Sequence, residues 1–136
     1  MTRPLVADIV DSFFTRVLFQ EDDQLASSTL TEELSADAII NINGSDLSAE
    51  KFVSLITTQF RGAFTASISH IQDLNIVTTN DTSTTGVVGQ YTKYKTKSKV
   101  SGQILKQSAT TIVKVEERDG KNVVTALWEA QTLDEE

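Results

Sequence analysis

The chain has 136 residues, with 12 Lys and Arg against 19 Asp and Glu and a formal net charge of −7. It has no cysteine and one histidine, which excludes disulfides, thiolate metal sites and multi-histidine metal centres. The length fits one domain with a single core, and the acidic balance argues against general nucleic-acid binding, where Lys and Arg must displace counterions from phosphates.

The charge is uneven: residues 1–82 carry −8 and residues 83–136 carry +1. No apolar run is long enough to span a bilayer, and Asp8 and Asp11 interrupt the first apolar stretch in a way a signal peptide would not. A cytoplasmic protein is expected, with no membrane and no nucleic-acid partner.

Pro4 suits the first turn of a helix. After it, Leu5, Ile9, Phe13 and Val17 form one apolar stripe and Val6, Val10, Phe14 and Leu18 a second beside it, which predicts an amphipathic helix over residues 4–19. A shorter helix over residues 24–34 is anchored by Leu25, Leu30 and Leu34. Residues 37–43 (DAIININ) read as a strand with Ala38, Ile40 and Ile42 on one face, and Gly44-Ser45-Asp46 as a turn. A third helix over residues 48–61, capped by Ser48 or Asp46, carries Ala49, Phe52, Val53, Ile56 and Phe60 at helical spacing, with Gly62 at its stop.

Strands follow at residues 65–78, 84–96, 103–117 and 121–133. The alternation in the first is strained near His70-Ile71, which a bulge would explain. Asp119-Gly120 between β-branched runs predicts a tight hairpin, because both residues tolerate the positive φ of a type I′ turn. In the last strand strict alternation puts Val124, Ala126, Trp128 and Ala130 on the buried face and Thr125, Glu129 and Gln131 on the other. The expected fold is α+β: a cone-shaped, strongly curved antiparallel sheet whose concave face is covered by three helices from the N-terminal half, in one domain over residues 1–136.

That element order resembles the nuclear transport factor 2-like superfamily, in particular its SnoaL-like branch of small cyclases, isomerases and dehydratases. The residues that carry the likeness are Asp37-Ala38 opening the first strand, Ser48–Ile56 (SAEKFVSLI), Ser69-His70-Ile71 and the strand containing Trp128. The resemblance implies that the helices close the wide end of the cone into an apolar pocket and that the outer sheet face makes a homodimer. Ser67–Ile71 is similar to a strand of the family's dehydratases whose histidine holds a catalytic water, so His70 is expected to line the pocket. The second histidine of that set falls near Gln90-Tyr91-Thr92, with Tyr91 the nearest protic group. The tyrosine and aspartate of the isomerases fall near Phe13 or Phe14 and near Asn41 or Asn43, so the acid–base sets of these branches of the family are incomplete here.

The implied function is a cofactor-free isomerase, cyclase or dehydratase acting on a hydrophobic, secondary-metabolite-like molecule, with His70 as general acid–base and Tyr91 as an orienting donor. Phe14, Phe52, Ile56 and Trp128 are the expected walls, and the amides of Asn41 and Gln107 the expected ligand contacts. The alternative is a non-catalytic module of the same fold that binds an apolar ligand or serves as a dimeric interaction domain.

Other residues keep two readings. Glu129 points to solvent if its strand is regular, but a bulge would turn it into the pocket as a carboxyl of raised pKa; Asp73 shares that ambiguity. Tyr91 and Tyr94 have opposite parity, so at most one faces the pocket. Trp128 reads as core, worth about 3–5 kcal/mol on truncation if fully buried. Arg61 is a solvated helix end or a ligand contact at the pocket mouth. Lys93, Lys95, Lys97 and Lys99 read as a charged row that blocks edge pairing, or else as a surface for an anionic partner.

Overall fold

The computed structural model describes residues 2–134. Two helices, α1 (Leu5–Leu18) and α2 (Asp23–Glu33), precede strand β1 (Leu34–Ile42) and the short β2 (Ser45–Leu47). Helix α3 (Ala49–Ser54) runs on through a π-helical stretch, Leu55–Phe60, into a last turn, Arg61–Ala63. Four long strands complete the chain: β3 (Phe64–Thr78), β4 (Gly86–Ser98), β5 (Ile104–Arg118) and β6 (Lys121–Leu133). The expected α+β cone is what forms: a curved, unclosed, six-stranded sheet in the order β2-β1-β6-β5-β4-β3, roofed by the helices.

Helices α2 and α3 start where the sequence supplies a side-chain cap. The Asp22 carboxylate accepts from the backbone N–H of Gln24 and Leu25 at 3.1 Å, and the Ser48 hydroxyl accepts from Lys51 N–H at 3.1 Å, satisfying donors that have no intrahelical partner. Helix α1 buries Val6, Val10, Phe13 and Val17 against the sheet, while Phe14 and Leu18 sit half-buried beside them. On α2 the buried anchors are Ala26, Thr29 and Leu30; Leu25, expected inside, faces outward.

β1 differs from expectation in two ways. It starts at Leu34, directly after α2, and it pairs with β6 in parallel, so the sheet is antiparallel only in its other ladders. The chain then turns at Asn43-Gly44 with φ of 52° and 88°, and Ser45–Leu47 folds back on β1 as a strand rather than forming the turn itself. Asn-Gly is the preferred pair for such a turn, since both residues tolerate the left-handed region. The Asp119-Gly120 hairpin forms as expected, with φ of 53° and 77°.

Besides a shift in the β1–β6 ladder between Leu34 and Ile39, three single-residue bulges on β3 and β6 shape the inner face. Ser69 is an extra residue between the pairs Ile68–Tyr94 and His70–Lys93, and Leu74 is another between Asp73–Gln90 and Asn75–Gly89. Thr125 is the third, lying between Val115–Val124 and Lys114–Ala126. Each bulge bends its strand and inverts the facing of every later side chain.

Candidate active site

Under the helices the sheet encloses a cavity of about 360 Å³, so the cone is hollow. Phe13 is spent in the core at 1% exposure, but Phe14, Phe52 and Phe60 line the space instead of filling it. The π-helical stretch matters here. By widening the turn it brings Leu55, Ile56, Gln59 and Phe60 to the cavity from one short segment, a geometry that recurs at functional sites. Phe64, Ile68 and Ile71 close the β3 side.

The polar groups come from the sheet. Gln90 on β4, Thr111 on β5 and Glu129 on β6 lie side by side across three paired strands, all facing inward. The Thr125 bulge is what places Glu129: beyond it Leu127, Glu129 and Gln131 line the cavity and Trp128 faces out. The Glu129 carboxyl has no hydrogen bond or ion pair with the described residues, and desolvation by the apolar walls pushes its pKa up from 4.5 to about 7. A carboxyl that titrates near neutral pH can both accept and return a proton there.

Tyr94, two strands away, completes the polar face. The Gln131 amide donates to the Tyr94 hydroxyl oxygen and to the Gln107 carbonyl oxygen, the latter at 2.8 Å. With its oxygen already accepting, Tyr94 keeps its own proton for an acceptor in the cavity. Burial, together with the charge of Glu129, raises its pKa further above the ordinary phenol value, so it stays a donor at neutral pH.

A second polar group stands at the α1 side. Asp11 lines the cavity, accepts from Gln90 Nε2 at 2.6 Å and pairs with Arg3 at 2.8 Å. Arg3 also binds Asp8 and Asp73, each at 2.7 Å, tying the start of the chain to β3. Asp73 therefore belongs to this ion cluster beside Gln90 and does not line the cavity; Arg3 holds its carboxyl below the usual range. Among the described residues no three metal-ligating side chains come together.

Several expectations are corrected. His70 is exposed on the outer face opposite Lys93, because the Ser69 bulge turns both Ile68 and Ile71 inward and leaves no inner place for the imidazole. Tyr91 has the outward parity and Tyr94 the inward one. Asn41 serves the β1–β2 hairpin, donating to Asp46 at 2.9 Å and accepting from Gly44 N–H at 3.1 Å. Gln107 stands behind Gln131 and does not line the cavity. Trp128 is 41% exposed, so its truncation should cost the protomer well below the 3–5 kcal/mol of a buried tryptophan. Arg61 is neither solvated nor at the pocket: at 5% exposure it donates to the Val17 carbonyl and to Asp23, both at 2.9 Å. Phe14, Phe52 and Ile56 do line the cavity.

Glu129 and Tyr94 are the residues that plain alternation does not select. A signal for the bulge does exist in the sequence: strict period two puts the large aliphatic Leu127 on the wet face, and the run Val123–Leu127 proves to be buried at every position.

No family model matches the sequence, and no curated protein matches it. Solved structures do match in shape. A ketosteroid isomerase-like protein from Erwinia carotovora atroseptica superposes with a TM-score of 0.69 at 9% identity, over 94% of this chain and 95% of that one. A hexachlorocyclohexane dehydrochlorinase, LinA type 2, gives 0.65 at 12% identity over 96% and 84% of the respective chains. An NTF2-like protein from Cytophaga hutchinsonii gives 0.61 at 14% identity over 97% and 100%. At these identities the likeness is one of fold: the chain has the NTF2-like cone.

Proposed function

We propose that the protein catalyses cofactor-free proton transfer on an uncharged hydrophobic small molecule, as an isomerase, cyclase or dehydratase of the kind this fold hosts. The observation that carries the reading is Glu129, a carboxyl that has no partner among the described residues and stands in a cavity where none of those residues lining it is Lys, Arg or His. Glu129 would remove a proton from a carbon beside a substrate carbonyl while Tyr94 donates a hydrogen bond to the oxygen that gathers the charge. Return of the same proton to another carbon completes an isomerisation, and departure of a leaving group completes an elimination. The isomerase and dehydrochlorinase named among the structural neighbours fit this class of step.

The test is turnover of a panel of neutral carbonyl and β-substituted compounds as a function of pH. Activity should rise through a midpoint at about 7 as Glu129 loses its proton. Glu129→Gln should lower turnover by about 10²–10⁴-fold and Tyr94→Phe by about 10²-fold, both without loss of ligand binding. Turnover unchanged in Glu129→Gln would leave the non-catalytic, ligand-binding alternative.

A second copy of the chain is the partner we propose for the outer sheet face. Ile112 and Trp128 are paired neighbours across β5 and β6, and Ile39 stands beside them on β1; all three are exposed. Trp128→Asp should convert a dimer into a monomer in analytical ultracentrifugation, and a parent chain that sediments as a monomer at every concentration would remove this partner.

A further inference from the structure

The lysine row was expected to guard a sheet edge, but β4 is not an edge: it lies between β3 and β5. Edge protection therefore does not account for Lys93, Lys95 and Lys97, which project from its outer face. The neighbouring strand β5 adds to the charge, because Lys106 stands directly opposite Lys95. Like charges placed opposite each other across strands are destabilising. None of the ion pairs among the described residues involves Lys93, Lys95, Lys97 or Lys106. Among the described residues the acid that comes nearest by register is Asp134 at the end of β6, whose carboxylate accepts from the Ser108 hydroxyl at 2.8 Å opposite Lys93, one negative charge against four lysines.

Where β4 and β5 meet, the ribbon ends in exposed apolar residues: Val100 is 96% exposed at the turn and Ile104 is 56% exposed. The acidic helices α1 and α2 pack on the opposite face of the sheet. Tyr94 turns into the cavity and Tyr91 stands beyond Lys93 at the end of the row, so no tyrosine is interleaved on the outer face among Lys93, Lys95, Lys97 and Lys106, which disfavours a single-stranded nucleic acid. A row of cations ending in bare aliphatic side chains instead matches an anionic membrane interface, where lysines meet headgroups and small apolar side chains enter the interfacial layer.

We propose that the outer face of the β3–β4–β5 ribbon, with Lys93, Lys95, Lys97 and Lys106 and the tip residues Val100 and Ile104, docks on anionic phospholipid surfaces. This revises the expectation of no membrane partner, which rested on the lack of a spanning segment. Docking at a surface requires none.

The experiment is flotation of the full chain with phosphatidylcholine vesicles containing about 30% phosphatidylserine, beside pure phosphatidylcholine vesicles, at about 50 and about 200 mM salt. The chain should float with the anionic vesicles, less so at the higher salt, and not with the neutral ones. Lys95→Glu with Lys106→Glu should weaken partitioning at least about tenfold. Lys93→Gln with Lys97→Gln serves as a milder pair whose fold is checked by circular dichroism, and Val100→Ser should weaken binding to anionic vesicles without altering its salt dependence. Equal partitioning of parent and lysine variants, or no flotation with anionic vesicles at low salt, overturns the proposal. Lysine-dependent binding to single-stranded RNA without vesicle binding overturns it in favour of a nucleic-acid surface.

Discussion

Glu129→Gln should make the protein more stable at about pH 8 and no more stable near pH 4.5. The reason is linkage. Glu129 ordinarily titrates at 4.5, and burial moves it to about 7 in the folded chain. Between those values the folded state holds a proton that the unfolded state has released, so stability falls as pH rises through the window. At roughly 1.4 kcal/mol per pH unit the loss reaches up to about 3 kcal/mol above pH 7. An amide in the same place carries no charge to desolvate and escapes that loss. Urea denaturation of both proteins across the pH range reads the difference directly, and parallel stability curves would show that Glu129 is not held in an apolar environment. A larger stability for Glu129→Gln above pH 7 shows instead that the protein carries at its site a group that weakens the fold at working pH, which is the usual relation between a reactive residue and stability.

Arg61→Met should cost about 2–4 kcal/mol. The guanidinium reaches back from the end of the third helical segment to the Val17 carbonyl, near the negative end of α1, and joins it to Asp23 at the start of α2. Methionine fills part of the volume but leaves a buried carbonyl with a lost charged donor. Loss of the Asp23 pair contributes little, because that side chain is 74% exposed and water replaces the partner. Arg61→Lys should recover only part of the stability, since an ammonium cannot hold two acceptors in the fixed geometry of the fork. A drop below about 1 kcal/mol in the methionine variant would mean that the clamp is incidental.

The architecture was legible because it rests on signals that act locally. Apolar stripes at helical spacing, the Ser48 cap and the Asp119-Gly120 hairpin each report on a few neighbouring residues, and each forms in the structure. The site was less legible because it depends on where single residues drop out of register. His70 lost its expected place to one extra residue, Ser69, and Glu129 gained its place from another, Thr125. A bulge leaves composition and period nearly unchanged while inverting everything downstream, and whether it forms is decided by the curvature the sheet needs to close over its helices. The conditional reading of Glu129, a carboxyl turned inward by a bulge, describes what the strand does. The parallel pairing of β1 with β6 had no local signal either, since the two strands are separated by most of the chain. Arg61 was misplaced for a related reason: its partners lie on α1 and α2, out of reach of any pattern within its own helix.

The account turns on Glu129 being a desolvated carboxyl in a largely apolar cavity, with no hydrogen-bond or ion-pair partner among the described residues. A carbon-13 NMR titration of its side-chain carboxyl, assigned by comparison with Glu129→Gln, tests this without any substrate. The structure predicts a midpoint at about 7; a midpoint at the ordinary 4.5 would contradict it.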